Sequence, residues 1–163
     1  MLLGTLSLIS SLIQSAVLAA SSWATRHRFN FSTTKTFLIL FSRSHITLPP
    51  PLMLYNSPIQ YRSSGKFLGL IFDFCLTWKE HIISIKKTAL HRLRLLQTVS
   101  HTSWGTDRKT LLHLHTTLVL SILDYGCHVY SSASPLLLSS LDSIQHLGLR
   151  LALGAFRSSP VES

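Results

Sequence analysis

The residues of this chain most suited to bind a metal, or to move a proton near neutral pH, are six acids, nine histidines and two cysteines. The acids are Asp73, Glu80, Asp107, Asp124, Asp142 and Glu162. No two of them adjoin as the carboxylates of a local two-metal clamp would. Asp107, Asp124 and Asp142 stand at helix starts and turns, where an acid serves the backbone. His113 and His115 are two apart, so on a helix they point to different faces. Cys127-His128 has no partner pair at a zinc-finger spacing, and Cys75 and Cys127 define no disulfide framework. A reducing compartment is the simpler assumption for two such thiols. No Gly-rich phosphate loop occurs, and no serine sits in a nucleophile elbow. The sequence thus offers no complete active site, and no metal site is assigned.

What the chain does offer is positive charge. Fifteen Lys and Arg against six Asp and Glu give a net charge of +9 over 163 residues. A small chain this basic suits polyanions, either nucleic acid or an acidic membrane surface, although a solvated basic surface has the same composition. Lys79, Lys86, Lys87 and Arg94 gather on one face at ~100° per residue of helix. Such a face can track a phosphate backbone by charge neutralisation, or stand in solvent beside a core stripe. With 46% apolar residues there is material for a sizeable core, in one domain or a piece of a larger one.

The elements that must position these residues follow from periodicity. Lys66-Phe67-Leu68-Gly69-Leu70-Ile71-Phe72-Asp73 reads as one buried strand, with Gly69 marking a bend or a close backbone approach. Upstream, Phe37–Phe41 reads as a buried strand, and 43–51 as a connector closed by three prolines. Leu52–Tyr55 and Ile59–Tyr61 form a hairpin turning through Asn56-Ser57-Pro58. Downstream, Ile82, Ile85, Ala89, Leu93, Leu96 and Val99 make one apolar stripe from Lys79 to about Ser100. Thr102–Gly105 breaks that helix. Thr106 or Asp107 caps the next, whose Leu111, Leu114, Leu118, Val119 and Ile122 face inward until Asp124-Tyr125-Gly126 bends it. Ser134 and Pro135 start a third, with Leu138, Leu141, Ile144, Leu151 and Ala155 on one side, ending near Phe156.

The N-terminal stretch Met1–Ala20 has no charge and ends in Leu18-Ala19-Ala20, which superficially resembles a secretory segment. No Lys or Arg precedes it, however, and Leu6, Ile9, Ile13, Ala16, Val17 and Ala20 recur with the period of one helix face. A packed amphipathic helix reaching about Arg28 is the preferred expectation, ahead of a signal peptide or a membrane span.

In order along the chain, Trp23-Ala24, Phe29-Asn30-Phe31-Ser32-Thr33-Thr34-Lys35-Thr36, Lys66–Asp73, Leu76-Thr77-Trp78 and His81-Ile82 form a series of blocks. Ser100–Gly105, Asp107-Arg108, Leu123-Asp124-Tyr125-Gly126, His146–Arg157 and Ser159–Ser163 continue it. Together they resemble the reverse transcriptases of LINE-type (non-LTR) retrotransposons, and most closely the Jockey-like elements of arthropods. The resemblance implies an α+β fold. Residues 1–78 would be the end of a polymerase palm, with a helix, short antiparallel strands and a primer-grip-like hairpin. Residues 79–163 would be a helical thumb-like bundle. By the same resemblance, Lys35 matches the motif D lysine, associated with the incoming nucleotide as a proton donor toward the leaving pyrophosphate. Phe67-Leu68-Gly69 matches motif E, the primer grip. Read from residue type alone, Lys35 is a turn lysine and Phe67 a core residue. The implied partner is an RNA or DNA primer–template; localisation is left open, with an intracellular site (nucleus or cytoplasm) expected ahead of secretion. No small-molecule cofactor is implied for this chain, and Mg²⁺ belongs to the full-length family.

The departures are as specific as the matches. The family's tyrosine-alanine-Asp-Asp segment and its other catalytic Asp lie upstream of the first helix here, and neither is in this sequence. His27-Arg28 stands where relatives often carry a glycine, and Ser163 falls where the family's sequence runs on. The expectation is a fragment of an RNA-directed DNA polymerase, inactive alone because the carboxylates that hold its metals are missing. The alternatives are a non-catalytic nucleic-acid-binding remnant, or a secreted or membrane-associated basic helical protein. With half a palm sheet, apolar edges near Phe37–Phe41 and Phe67–Phe72 should be exposed.

Overall fold

A helix of 25 residues, α1 (Leu2–Arg26), opens a computed structural model that describes residues 2–42, 48–101 and 105–155, with side chains from Ser7 onward. The expectations for 43–47, for the helix break at 102–104, and for Glu162 and the block Ser159–Ser163 lie outside the described residues. The third long helix, expected to reach about Phe156, ends at Leu153 because Gly154 takes a left-handed C-cap. The chain divides into two compact units, Met1–Gly65 with Asp73–Cys75, and Lys66–Phe72 with Leu76–Ser163.

In the first unit α1 ends in a Schellman motif: Arg28 takes a left-handed φ of 63°, Phe29 N–H donates to Ala24 O, and Arg28 N–H donates to Thr25 O. Arginine fills a position that usually takes glycine. The bend is held by the Trp23 ring, whose centroid is 4.5 Å from His27 and 5.3 Å from Phe29. The face of α1 that packs is not the one the hydropathy pattern favours. Ser21 and Ala24 are buried and Val17 meets the cluster of Leu52, Leu54 and Ile59, whereas Ile9 is 44% exposed and Ala16 and Ala20 are exposed too. The reason is a polar contact. The Gln14 amide donates to Met53 O at 2.9 Å and accepts from Met53 N–H at 2.8 Å, closing a strand edge as a paired strand would. Ser7–Arg26, at 20 residues and mean hydropathy 1.3, is long and apolar enough to cross a membrane by length and composition. Signal sequences and core helices meet the same description.

The strands of this unit are short. β1 (Phe37–Leu38) takes only the first two residues of the expected strand and pairs in parallel with β4 (Gln60–Tyr61), Phe37 opposite Gln60. β2 (Met53–Leu54) pairs antiparallel with β3 (Ser57–Pro58). The turn is therefore Tyr55-Asn56, at φ 48° and 62°, and not Asn56-Ser57-Pro58 as expected. Two successive left-handed residues make a hairpin turn of the type that matches strand twist.

Lys66–Asp73 is not one strand. β5 (Ser64–Phe67) and β6 (Leu70–Asp73) pair across Leu68-Gly69, at φ 46° and 85°. Gly69 thus marks a reversal of the chain instead of a bend within a strand. The exposure expected for Phe67–Phe72 holds at the tip, where Phe67 and Leu68 are 65% and 72% exposed, but Leu70 is buried. Near Phe37–Phe41, Phe41 is exposed and the four residues before it are half-buried. The mixed α+β class holds.

The second unit is built on α2 (Lys79–Val99), whose buried side chains Ile82, Ile85, Ala89, Leu93 and Leu96 are the expected stripe, while Val99 at its end is exposed. Trp78 enters the helix with φ 63° and lies in the core with its Nε1–H on Ser132 Oγ at 2.9 Å. Asp107 caps α3 (Arg108–Leu114) by accepting from the N–H groups of Lys109 and Thr110. These bonds, the Thr110 side chain and amide first, hold its carboxyl below the usual range. The helix continues through a π-wound turn, His115–Leu120, into α4 (Ser121–Asp124). Its buried positions are Leu111, His115, Val119 and Leu123, each four apart. At ~100° per residue that spacing drifts around an α-helix, and the wider π turn keeps it on one side. Gly126 then reverses the chain at φ 73° into α5 (Cys127–Tyr130), and α6 (Pro135–Leu153) follows. α6 buries Leu141, Ile144, Gly148 and Ala152, so its inward face includes a glycine that the apolar pattern passes over.

That glycine makes room for an imidazole. His115 is 2% exposed, and a Cβ on Gly148 would overlap its Cδ2 and Nε2 and stand 3.0 Å from Leu93 Cδ2. Gly148→Ala gains about 1 kcal/mol of helix propensity but overpacks the core by about 1–3 kcal/mol. We expect a net loss of stability, read as a lower urea midpoint at unchanged slope. His81 and His115 are both buried, and desolvation, with Lys66 adding to it at His81, lowers the pKa of each. The fold therefore favours neutral rings, while the unfolded chain takes up protons near pH 6.5. Stability should hold above that pH and fall below it, by up to about 1.4 kcal/mol per pH unit for each histidine. Melting temperatures that stay level from pH 7 to pH 5 would contradict this.

Candidate nucleic-acid interface

Lys35 closes a turn organised by Ser32. The Ser32 carbonyl accepts from Lys35 N–H at 3.3 Å and Thr36 N–H at 3.0 Å, and its hydroxyl meets Thr34 Oγ1 at 3.0 Å. The lysine side chain is exposed. It belongs to the first unit, whereas the other candidate residues belong to the second.

The tip Phe67-Leu68-Gly69 is a hairpin turn with its apolar side chains outward. Exposed Phe67 and Leu68 are not held by core packing, so the turn must be fixed by its backbone. Tyr125 does this. Its hydroxyl donates to Leu68 O at 2.6 Å, and its ring edge lies 3.0 Å from where a Gly69 Cβ would stand. A side chain at residue 69 would thus meet both a positive φ and an aromatic ring. Behind the tip, Ile71 N–H donates to His81 Nδ1 at 3.3 Å, and the Phe72 ring packs on Trp78 at 5.1 Å. These contacts seat the hairpin on the first turn of α2.

Lys79, Lys86, Lys87 and Arg94 are all exposed on α2, as the helical period requires. Between them lie Ile83, exposed, and Leu90, half-buried, so the face mixes cations with aliphatic groups. Taking ~100° per residue, this stripe lies roughly 150° around α2 from the face of Ser84, Thr88 and Arg92. His81, which receives the hairpin, is on that second side. The structure thus groups Phe67–Gly69 with Tyr125 and His81 and leaves the basic stripe on the other flank of the core. Tyr125 and His81 carried no sequence signal for this role, because each is brought to the hairpin from a separate helix.

Among the described residues the acids do not gather into a metal centre. Asp73 Oδ1 accepts from Cys75 N–H at 3.1 Å, Asp107 is a helix cap, and among the described residues no three His, Cys, Asp or Glu side chains come together to hold a metal. No step through Mg²⁺ follows from the residues present.

The exposed cations of α2 are chemically suited to neutralise a polyanion, and the hairpin on the other flank adds an exposed apolar turn. Two relatives bear on the family. The chain is 27% identical over 148 residues to the probable RNA-directed DNA polymerase from transposon X-element of Drosophila melanogaster, covering 87% of this chain and 16% of the relative. It is also 27% identical over 110 residues to the retrovirus-related Pol polyprotein from type-1 retrotransposable element R1 of Bradysia coprophila, covering 66% of this chain and 11% of that one. The resemblance to reverse transcriptases of non-LTR retrotransposons therefore holds, and the chain matches a fragment of such an enzyme. It spans less than a fifth of the length of these relatives. No family model and no solved structure matches it.

Tyr125→Phe keeps the ring beside Gly69 and removes the bond to Leu68. We expect a loss of about 1 kcal/mol of stability. Amide exchange should quicken at Phe67–Leu70 while α6 stays protected, and equal protection at the tip in both proteins would argue against the clamp.

Proposed function

We propose that this chain is the palm-end and thumb-like portion of a non-LTR retrotransposon reverse transcriptase, acting as a holder of primer–template. In this reading 1–78 is the palm remnant and 79–163 the thumb-like bundle. The Phe67-Leu68-Gly69 turn bears on the primer terminus. Lys35 faces the incoming nucleotide, and Lys79, Lys86, Lys87 and Arg94 neutralise backbone phosphates. The single observation that carries the reading is the hairpin. The residues that resemble the primer grip form an exposed two-residue turn, and the residue that clamps it, Tyr125, comes from another block of the same resemblance.

The parent reaction is addition of deoxynucleotides to a primer hydroxyl, with metal-bound carboxylates activating that hydroxyl. This sequence does not contain the carboxylate segment, so holding the duplex is the part of the reaction that its residues support.

Binding to a labelled RNA–DNA hybrid, titrated from 50 to 200 mM salt, tests this. Affinity should fall steeply, with log K against log salt sloping by roughly 0.9 per phosphate neutralised. Lys86→Gln with Lys87→Gln should flatten that slope by about one to two. A flat salt profile, or no retention of hybrid at 50 mM salt, would refute the reading.

A further inference from the structure

Behind the hairpin turn is a cavity of about 330 Å³ whose walls belong wholly to the second unit. Lys66 and Gly69 contribute from the hairpin, His81, Ser84, Thr88 and Arg92 from α2, and Tyr125 and Ser121 from the end of the π-wound helix. Among the described residues its lining includes no acid. That is specific, because two cations in one concave site repel unless an anion joins them. The guanidinium is already oriented, with Nη1 donating to Leu118 O at 3.2 Å. A planar fork held at one end is pre-organised to give its remaining donors to an oxyanion.

His81 adds a second and independent observation. Its Nδ1 accepts from Ile71 N–H, so the ring proton sits on Nε2. That Nε2–H is buried and meets no protein acceptor, in a residue 3% exposed that lines the cavity. A buried donor without an acceptor is costly, and it leaves the ring in the cavity wall sensitive to a charge that enters beside it. The cavity thus combines two cations and the Ser84 hydroxyl, with the buried His81 ring in its wall and the hairpin turn at its rim. Those are the requirements of a phosphate whose attached sugar and base continue past Phe67 and Leu68.

We propose that this cavity is a phosphate site that takes one backbone phosphate of the nucleic-acid strand held by the hairpin, with Lys66 and Arg92 as its charged ligands and Ser84 as a neutral one. The proposal rests on the primer–template reading and deepens it. The phosphate track beside the hairpin runs into this cavity, on the opposite side of α2 from the Lys79–Arg94 stripe. A strand gripped at both places would have to pass around the helix, so the two surfaces engage different phosphates.

The test compares Lys66→Gln and Arg92→Gln with Lys109→Gln, a lysine exposed on α3, in full-length protein binding the same RNA–DNA hybrid. Each cavity variant should weaken binding about tenfold and lower the salt slope by about one, with Lys109→Gln within about twofold of the parent. Lys66 is exposed, so its variant reports on the site without disturbing the core. For Arg92→Gln, unchanged far-ultraviolet circular dichroism serves as the folding check. Hybrid affinity of Lys66→Gln within about twofold of the parent would overturn the proposal. Inorganic phosphate, followed through the His81 ring signals by NMR, separates the two readings. A shift that is lost in Lys66→Gln, in a parent that binds no hybrid, keeps a phosphate site but overturns the backbone as its source and the primer–template reading with it. A parent that binds hybrid normally but shows neither a phosphate shift nor an effect of Lys66→Gln overturns the cavity and leaves the primer–template reading standing.

Discussion

The packing of one face of α2 is the constraint on which the helical unit depends. Ile82, Ile85, Ala89, Leu93 and Leu96 form an unbroken buried stripe, and α6 and the π-wound turn close over it. Closure needs α6 to come near, which is why Gly148 stands opposite the His115 ring and Leu93. The same stripe divides the remaining surface of α2 in two. One flank carries Lys79, Lys86, Lys87 and Arg94, and the other carries His81, Ser84, Thr88 and Arg92 with the hairpin seated on it. The functional geometry is thus a by-product of core packing. Once the stripe is buried, a helix of 3.6 residues per turn fixes which cations face which way.

The helices were legible because their signals are local. α2 begins at Lys79 and buries every predicted side chain but the terminal Val99, Asp107 caps α3, and Pro135 opens α6. The turns were less legible because residue type does not announce them. Leu68 and Tyr55 both take left-handed φ, a conformation that favours glycine or asparagine. The sequence shows Gly69 and Asn56 clearly, and in each case the turn starts one residue earlier than the visible signal. In α1 the pattern misled for another reason. Hydropathy picks the face of Ile9 and Ile13, but Gln14 satisfies the backbone of Met53 in both directions and turns its own face inward. An edge strand with open hydrogen-bonding groups can outweigh a modest apolar preference.

The candidate site divides along the same line. The Lys79–Arg94 stripe lies on one continuous helix, so a period of 3.6 finds it without any tertiary information. The hairpin tip was found by resemblance and not by chemistry, since Phe67 read as a core residue. Its exposure follows from the reversal at Leu68-Gly69, which turns both apolar side chains away from α2. Tyr125, Lys66 and Arg92 come from three separate stretches, and only the tertiary fold sets them around one cavity. No spacing rule reaches that far.

The distribution of charge links these observations. Two of the six acids serve backbone amides: Asp107 holds the start of α3, and Asp73 receives the Cys75 N–H. An acid held in a cap has its negative charge directed at local dipoles, so it neutralises distant cations poorly. The basic excess therefore remains as field on both flanks of α2, mixed with exposed Ile83, Phe67 and Leu68. A purely solvated basic face has no need of aliphatic and aromatic groups set among its cations. In the primer–template reading proposed above, phosphates match that charge while sugars and bases match the apolar surface.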